Sequence, residues 1–264
     1  MSADQIPPRP DGLHPVAPDA APPARVGVGG LPAATWSVWE ALAVYVAAIV
    51  IAGLATLPVL SAVHDEDVAN LVASAVAALV TIAVLIAWLS HSHRTWRSVL
   101  GFPGPGEWWR EIRASIGFGL LLYPVMVFGV GVVVSVVLSA LFGHPAQAPE
   151  QVPASLPPAG VVVAILYAVV IAPVHEELFF RGILFRSVGD RYGLIAGLLA
   201  SGFGFSLIHY VPGPGEDALL LMGVMFFNGM ALAWWYARRG TIVASVVAHM
   251  VFNVIGMILI LTLG

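Results

Sequence analysis

Charge is what this sequence has least of. Only 10% of its 264 residues are Asp, Glu, Lys or Arg, against about 25% in an ordinary soluble domain. Lysine is absent, so the eleven basic residues are all arginine. Cysteine is absent too, which excludes a disulfide framework, a thiolate nucleophile and a zinc–thiolate site. The net charge of -4 comes with no basic patch interleaved with aromatic residues, which sets nucleic-acid binding aside. No internal repeat is visible, which weakens a transporter built from inverted halves. What the chain does have is apolar length: 59% of residues are hydrophobic and the mean hydropathy is +0.92. The composition therefore predicts an all-α polytopic membrane bundle in contact with the lipid bilayer.

Residues 1–35 are rich in Pro, Ala and Gly and lack hydrophobic periodicity, so they read as a disordered tail rather than a cleavable signal peptide. Residues 36–264 read as the membrane domain. Seven apolar stretches are each near the ~20 residues that a spanning helix needs. They fall at about 38–62, 69–90, 114–141, 160–182, 194–211, 218–236 and 241–263. The fifth is short, and its Gly193, Gly197 and Ser201 give it a small-residue face for close helix packing.

Arginines occupy alternate loops: Arg94, Arg97, Arg110 and Arg113, then Arg186 and Arg191, then Arg238 and Arg239. The intervening loops carry none. By the positive-inside rule the N-terminus is cytoplasmic and the C-terminus lies outside. All eight tryptophans fall near the same inner face, as interfacial anchors would. The segment Gly101–Arg113 is expected to lie along that interface.

Strongly polar residues within the spans are few: His175, Glu176, Glu177, Arg181, His209, Asn228, His249 and Asn253. Charges at membrane depth cost several kcal/mol each, so they mark function or tight pairing. In a helix Glu177 and Arg181 stand four apart and can pair. Glu177 is then neutralised and structural, and Glu176 is left available. His249 and Asn253 share one helix face, as do Phe205 and His209. Carboxylates and histidines can take a proton from water, and an amide can donate to an oxyanion. The same atoms can bind zinc, with Glu176, His209 and His249 as the candidate ligands. The run His175-Glu176-Glu177-Leu178-Phe179 begins like the helical zincin motif, but Phe179 replaces its second histidine. His175 and Asn228 read as incidental and as a helix–helix hydrogen bonder. One spacing is in tension: His209 lies ~25 Å of helix from Arg191, about 10 Å deeper than Glu176 lies from Arg186.

Glu176-Glu177-x-x-x-Arg181, Phe205-x-x-x-His209 and His249-x-x-x-Asn253, in that order over residues 160–264, resemble the CPBP family of CAAX-protease and bacteriocin-processing (Abi) intramembrane proteases. The resemblance implies an intramembrane endopeptidase, commonly called a metalloprotease, whose site is reached from the cytoplasm. It also implies an integral protein of a bacterial cytoplasmic membrane. The substrate would be a membrane-associated protein or peptide, as with type II CAAX prenyl proteases. Carried over by motif, Glu176 and His209 would activate water, His249 and Asn253 would stabilise the oxyanion, and Glu177 with Arg181 would brace the site. A divalent metal such as zinc is implied as a cofactor. The alternative is a non-catalytic membrane immunity or scaffold protein of the same fold.

Overall fold

The computed structural model of the chain describes residues 26–147, 156–212 and 215–263. Helices carry the fold: α1 (Val38–Ala62), α2 (Glu66–Ser92), the short α3 (Trp96–Leu100), α4 (Trp108–Phe142), α5 (Pro158–Tyr192), α6 (Leu194–Leu207), α7 (Gly215–Arg239) and α8 (Ile242–Leu263). Six of these are long and apolar enough to cross a membrane, and α6 is a shorter apolar helix. Large aliphatic side chains such as Val46, Leu54, Val133 and Leu141 remain exposed along them, as a lipid-facing surface requires.

Local sequence explains the helix ends. Ser37 and Glu40 form a reciprocal capping box at the start of α1, and Asp65 caps α2 through the Val68 N–H. Gly193 joins α5 to α6 at φ 90°, where a side chain would be strained. Helices α4 and α5 are not uniform. π-helical stretches interrupt them at Val125–Gly131, Tyr167–Ile171 and Leu178–Phe185. Such insertions are characteristic of functional segments, and two of the three flank the Glu176–Glu177 pair.

Every described arginine except Arg181 lies at one end of the bundle. There the α3–α4 loop meets the start of α8, with Gly101 against Gly240 so closely that a Cβ would overlap the backbone. The Glu111 carboxylate holds Arg239 at 2.8 Å and Arg110 at 3.1 Å. The expected tail ends earlier than residue 35. Residues 26–36 fold as a strap across this end, while residues 1–25 lie outside the described residues. The Asp190 carboxylate accepts from the Val28 and Ala34 N–H groups, both at 2.7 Å, and pairs with Arg186 at 3.0 Å. Arg186 also donates to the carbonyls of Pro32 and Val99 and lies 3.2 Å from the Tyr236 hydroxyl. Two aspartate-bound N–H groups offset the strap's lack of apolar periodicity, which is why composition alone misread it.

Trp36 is a second correction. It is fully buried, donates its indole N–H to the Ile183 carbonyl and meets Trp88 and His93 edge-on, so it is a core residue rather than an interfacial anchor. Residues 108–113 are a third: they form the first turns of α4, and the surface segment reaches only to Glu107.

Candidate active site

The buried centre of the site is an ion pair. Glu177 and Arg181, both fully buried, meet at 2.8 Å one helical turn apart. Arg181 also donates to the Gly229 carbonyl of α7 and lies 4.3 Å from the centre of the Phe205 ring. Phe205 is itself fully buried and touches the rings of both His209 and His249. The phenylalanine of the second motif therefore supplies an aromatic platform that holds the guanidinium from α6. Gly202 and Gly229 permit this: α6 and α7 approach so closely that a Cβ at either would overlap its neighbour.

α8 adds His249, whose Nδ1 is 2.9 Å from Glu177 Oε1. A carboxylate oxygen only accepts, so Nδ1 carries the hydrogen and Nε2 points away from Glu177. Nε2 lies 3.7 Å from Glu176 Oε2.

Glu176 differs from Glu177 in where it faces. It lines a cavity of about 1290 Å³, as do His249, His209 and Asn253, whereas Glu177 and Arg181 are not on its wall. Three helices thus bring the sequence-derived residues together. His209, just past the end of α6, places Nδ1 2.8 Å from the Phe205 carbonyl. That carbonyl can only accept, so Nδ1 donates and Nε2 is the ring nitrogen left for the cavity. Asn253 donates its amide to the Ala168 carbonyl of the π-helical stretch at 2.7 Å. One amide hydrogen is thereby committed to holding α5, which leaves the other for the cavity.

The depth discrepancy of His209 resolves at Gly193. Helix α5 runs beyond Arg186 to Tyr192, so the turn of the α5–α6 hairpin is Gly193 and not the arginines. Glu176 lies 17 residues before it and His209 16 after, which is ~25 Å in each arm. The two side chains share one level because the hairpin is symmetric about that glycine.

Two residues set aside in the sequence line the cavity: His175 and Asn228. Asn228 is buried, and neither its amide nitrogen nor its carbonyl oxygen has a hydrogen-bond partner among the described residues. His175 Nε2 likewise has none, and its ring lies 6.3 Å from that of Tyr45, another cavity residue. Polarity inside a span was the available signal for both, but only helix rotation decided that they face the cavity.

As metal ligands, Glu176, His209 and His249 do not fit as they stand. Among the described residues no three His, Cys, Asp or Glu side chains are arranged to hold a metal ion. His249 gives Nδ1 to Glu177, which leaves Nε2 as its one nitrogen for any ligand.

Fold and site together define a polytopic helical membrane protein with a buried acid–histidine cluster on the wall of a cavity. Residues 158–255 match the Rce1-like family model, described as type II CAAX prenyl endopeptidase Rce1-like. That segment holds every site residue from Glu176 to Asn253, so the similarity to that family lies in the part of the chain that carries the site. No curated protein and no solved structure matches the chain.

Proposed function

We propose that the protein is an intramembrane endopeptidase that hydrolyses a peptide bond of a membrane-associated protein or peptide. One observation carries the reading: of two adjacent glutamates, one is locked in an ion pair and the other faces a cavity beside a histidine held through its Nδ1. Glu177 holds His249 by Nδ1, as an acid orients the base of a catalytic triad. Glu176 takes a proton from a water in the cavity, and the oxygen of that water attacks the scissile carbonyl. His209 presents Nε2 as a second proton acceptor on the same wall. Asn253 and protonated His249 Nε2 donate to the oxyanion as it forms. The proton gained by Glu176 passes to the leaving amine as the C–N bond breaks, which returns the carboxylate to its starting state. Because Glu177 and Arg181 are off the wall, their part is to hold His249 and Phe205 in place.

The test is cleavage of a membrane-anchored peptide library by purified protein in lipid, with Glu176→Gln and His249→Ala alongside the wild type. General acid–base groups contribute ~10²–10⁴-fold, so Glu176→Gln is expected to lose at least about 10²-fold while its melting temperature is unchanged. A Glu176→Gln protein that cleaves at the wild-type rate refutes the assignment.

A further inference from the structure

The two ends of the bundle differ in a way that fixes the route to the site. At the arginine-bearing end the core is closed. Below the Glu177–Arg181 pair, Ile183, Phe185, Tyr236 and Leu100 are buried, and the strap with Trp36 and Arg186 lies over them. No residue of this seal lines the cavity. Towards the other end the cavity continues past Glu176 and His249 as far as Asp67 and Asn70 at the start of α2, Leu156 just before α5, and Leu259 and Ile260 near the end of α8. Among the described residues no arginine lines it. The charged groups described at that end are acidic or histidine, namely His64, Asp65, Glu66, Asp67, His144, Glu216 and Asp217, with His144 3.5 Å from Glu216.

Positively charged loops stay on the cytoplasmic side, so the closed end is cytoplasmic and the cavity's mouth is not. We infer that the site is loaded from the extracytoplasmic side, and that its substrate is the extracytoplasmic segment of a membrane-anchored polypeptide. This is opposite to the cytoplasmic route that the family resemblance implies. The substrate half of the inference rests on the peptidase reading; the route does not. A bond on the cytoplasmic face would have to pass the sealed core to meet Glu176. A bond in an exported segment needs only to enter a cavity that already reaches the acid–histidine cluster. Entering from that side also lets the water consumed by hydrolysis follow the same path.

The absence of cysteine makes the route directly measurable, because any introduced thiol is the only one. Ser135→Cys places a thiol on the cavity wall, ~10 Å inside the end of α4 at Phe142. Val133→Cys places one at nearly the same depth on a side chain that is 63% exposed but off the cavity wall, facing lipid. Ser98→Cys marks the arginine-bearing end. The full-length variants are treated with a membrane-impermeant maleimide in intact spheroplasts and in inverted vesicles.

A thiol must ionise in water to react, so Ser135→Cys is expected to label at least roughly tenfold faster than Val133→Cys in spheroplasts. Ser98→Cys should label only in inverted vesicles. Labelling of Ser135→Cys in inverted vesicles alone, or from neither side, overturns the route. Two reporters then carry one cleavable segment on either face of the same single-span anchor. Cleavage of the outward reporter alone is expected, and cleavage of the inward reporter alone overturns the substrate assignment. If Ser135→Cys labels from outside and neither reporter is cut by any preparation, the route stands and the peptidase reading fails.

Discussion

Arg181→Ala is the most severe single change that the site geometry implies. The substitution removes the guanidinium that lies 2.8 Å from Glu177 Oε1, the donor to the Gly229 carbonyl and the cation over Phe205. Glu177 is fully buried, so water cannot replace the lost partner. Breaking a buried pair by deleting one member costs roughly 3–5 kcal/mol, because the remaining charge is uncompensated. For a chain of this size each kcal/mol corresponds to ~2–4 °C, so the melting temperature in detergent should fall by roughly 6–20 °C. The discriminating variant is Glu177→Gln with Arg181→Met, which removes both charges at similar volume and should recover more than half of that loss. Wild type, Glu177→Gln, Arg181→Met and the double variant form a double-mutant cycle beside Arg181→Ala, with thermal unfolding and monodisperse yield as the readouts. A melting temperature of Arg181→Ala within about 2 °C of wild type would refute the argument. So would a double variant less stable than Arg181→Ala, since it would show that the lost stability lies in arginine's packing and not in the stranded carboxylate.

Three further outcomes are expected. Because no three-ligand set is formed by Glu176, His209 and His249, a chelator should leave cleavage within about twofold of the untreated rate; loss that added zinc restores would show that the cluster rearranges around a metal. His93 sits beyond the end of α2 with Nδ1 2.9 Å from the Thr35 hydroxyl and its ring between Trp36 and Trp88, and burial pushes its pKa below the ordinary histidine value while Glu40 opposes that weakly. Its contribution is therefore complete above the unfolded value of ~6.5 and is lost as pH falls through the lowered folded value, so melting temperature should drop from pH 7 towards pH 5 and His93→Gln should flatten that part of the profile; an unchanged slope would contradict it. Asp190→Ala removes the acceptor of the Val28 and Ala34 N–H groups and the partner of Arg186, so limited proteolysis should cut within residues 26–36 at least several-fold faster than in wild type; equal cutting rates would mean that Trp36 alone anchors the strap.

Much of the candidate site was legible because polar side chains are so scarce within the spans. Glu177 and Arg181 paired at the spacing that a helix dictates, and the same spacing placed His249 with Asn253 and Phe205 with His209. The roles within those pairs were less legible. Phe205 reads as an ordinary core aromatic until α6 is laid against Arg181. Asn253 reads as a free donor until its amide is found on the Ala168 carbonyl. His175 reads as incidental and Asn228 as a helix–helix hydrogen bonder, yet α5 and α7 turn them to the same wall as Glu176.

What the sequence by itself determined was the order of the apolar helices, with the fifth of the seven expected spans proving a shorter helix, and the end at which the arginines gather. Each of these follows from local composition or from helical period, which a linear chain already contains. Only the tertiary structure decided that Glu177 and not Glu176 holds His249, that residues 26–36 close the arginine-bearing end and that the cavity opens at the other. Those facts depend on how helices distant in sequence rotate and approach. A buried carboxylate finds its partner across 72 positions between Glu177 and His249, and Asp190 finds the strap across 162. No local period encodes such contacts; the cost of leaving a buried charge or N–H group unpaired selects them once the bundle has formed.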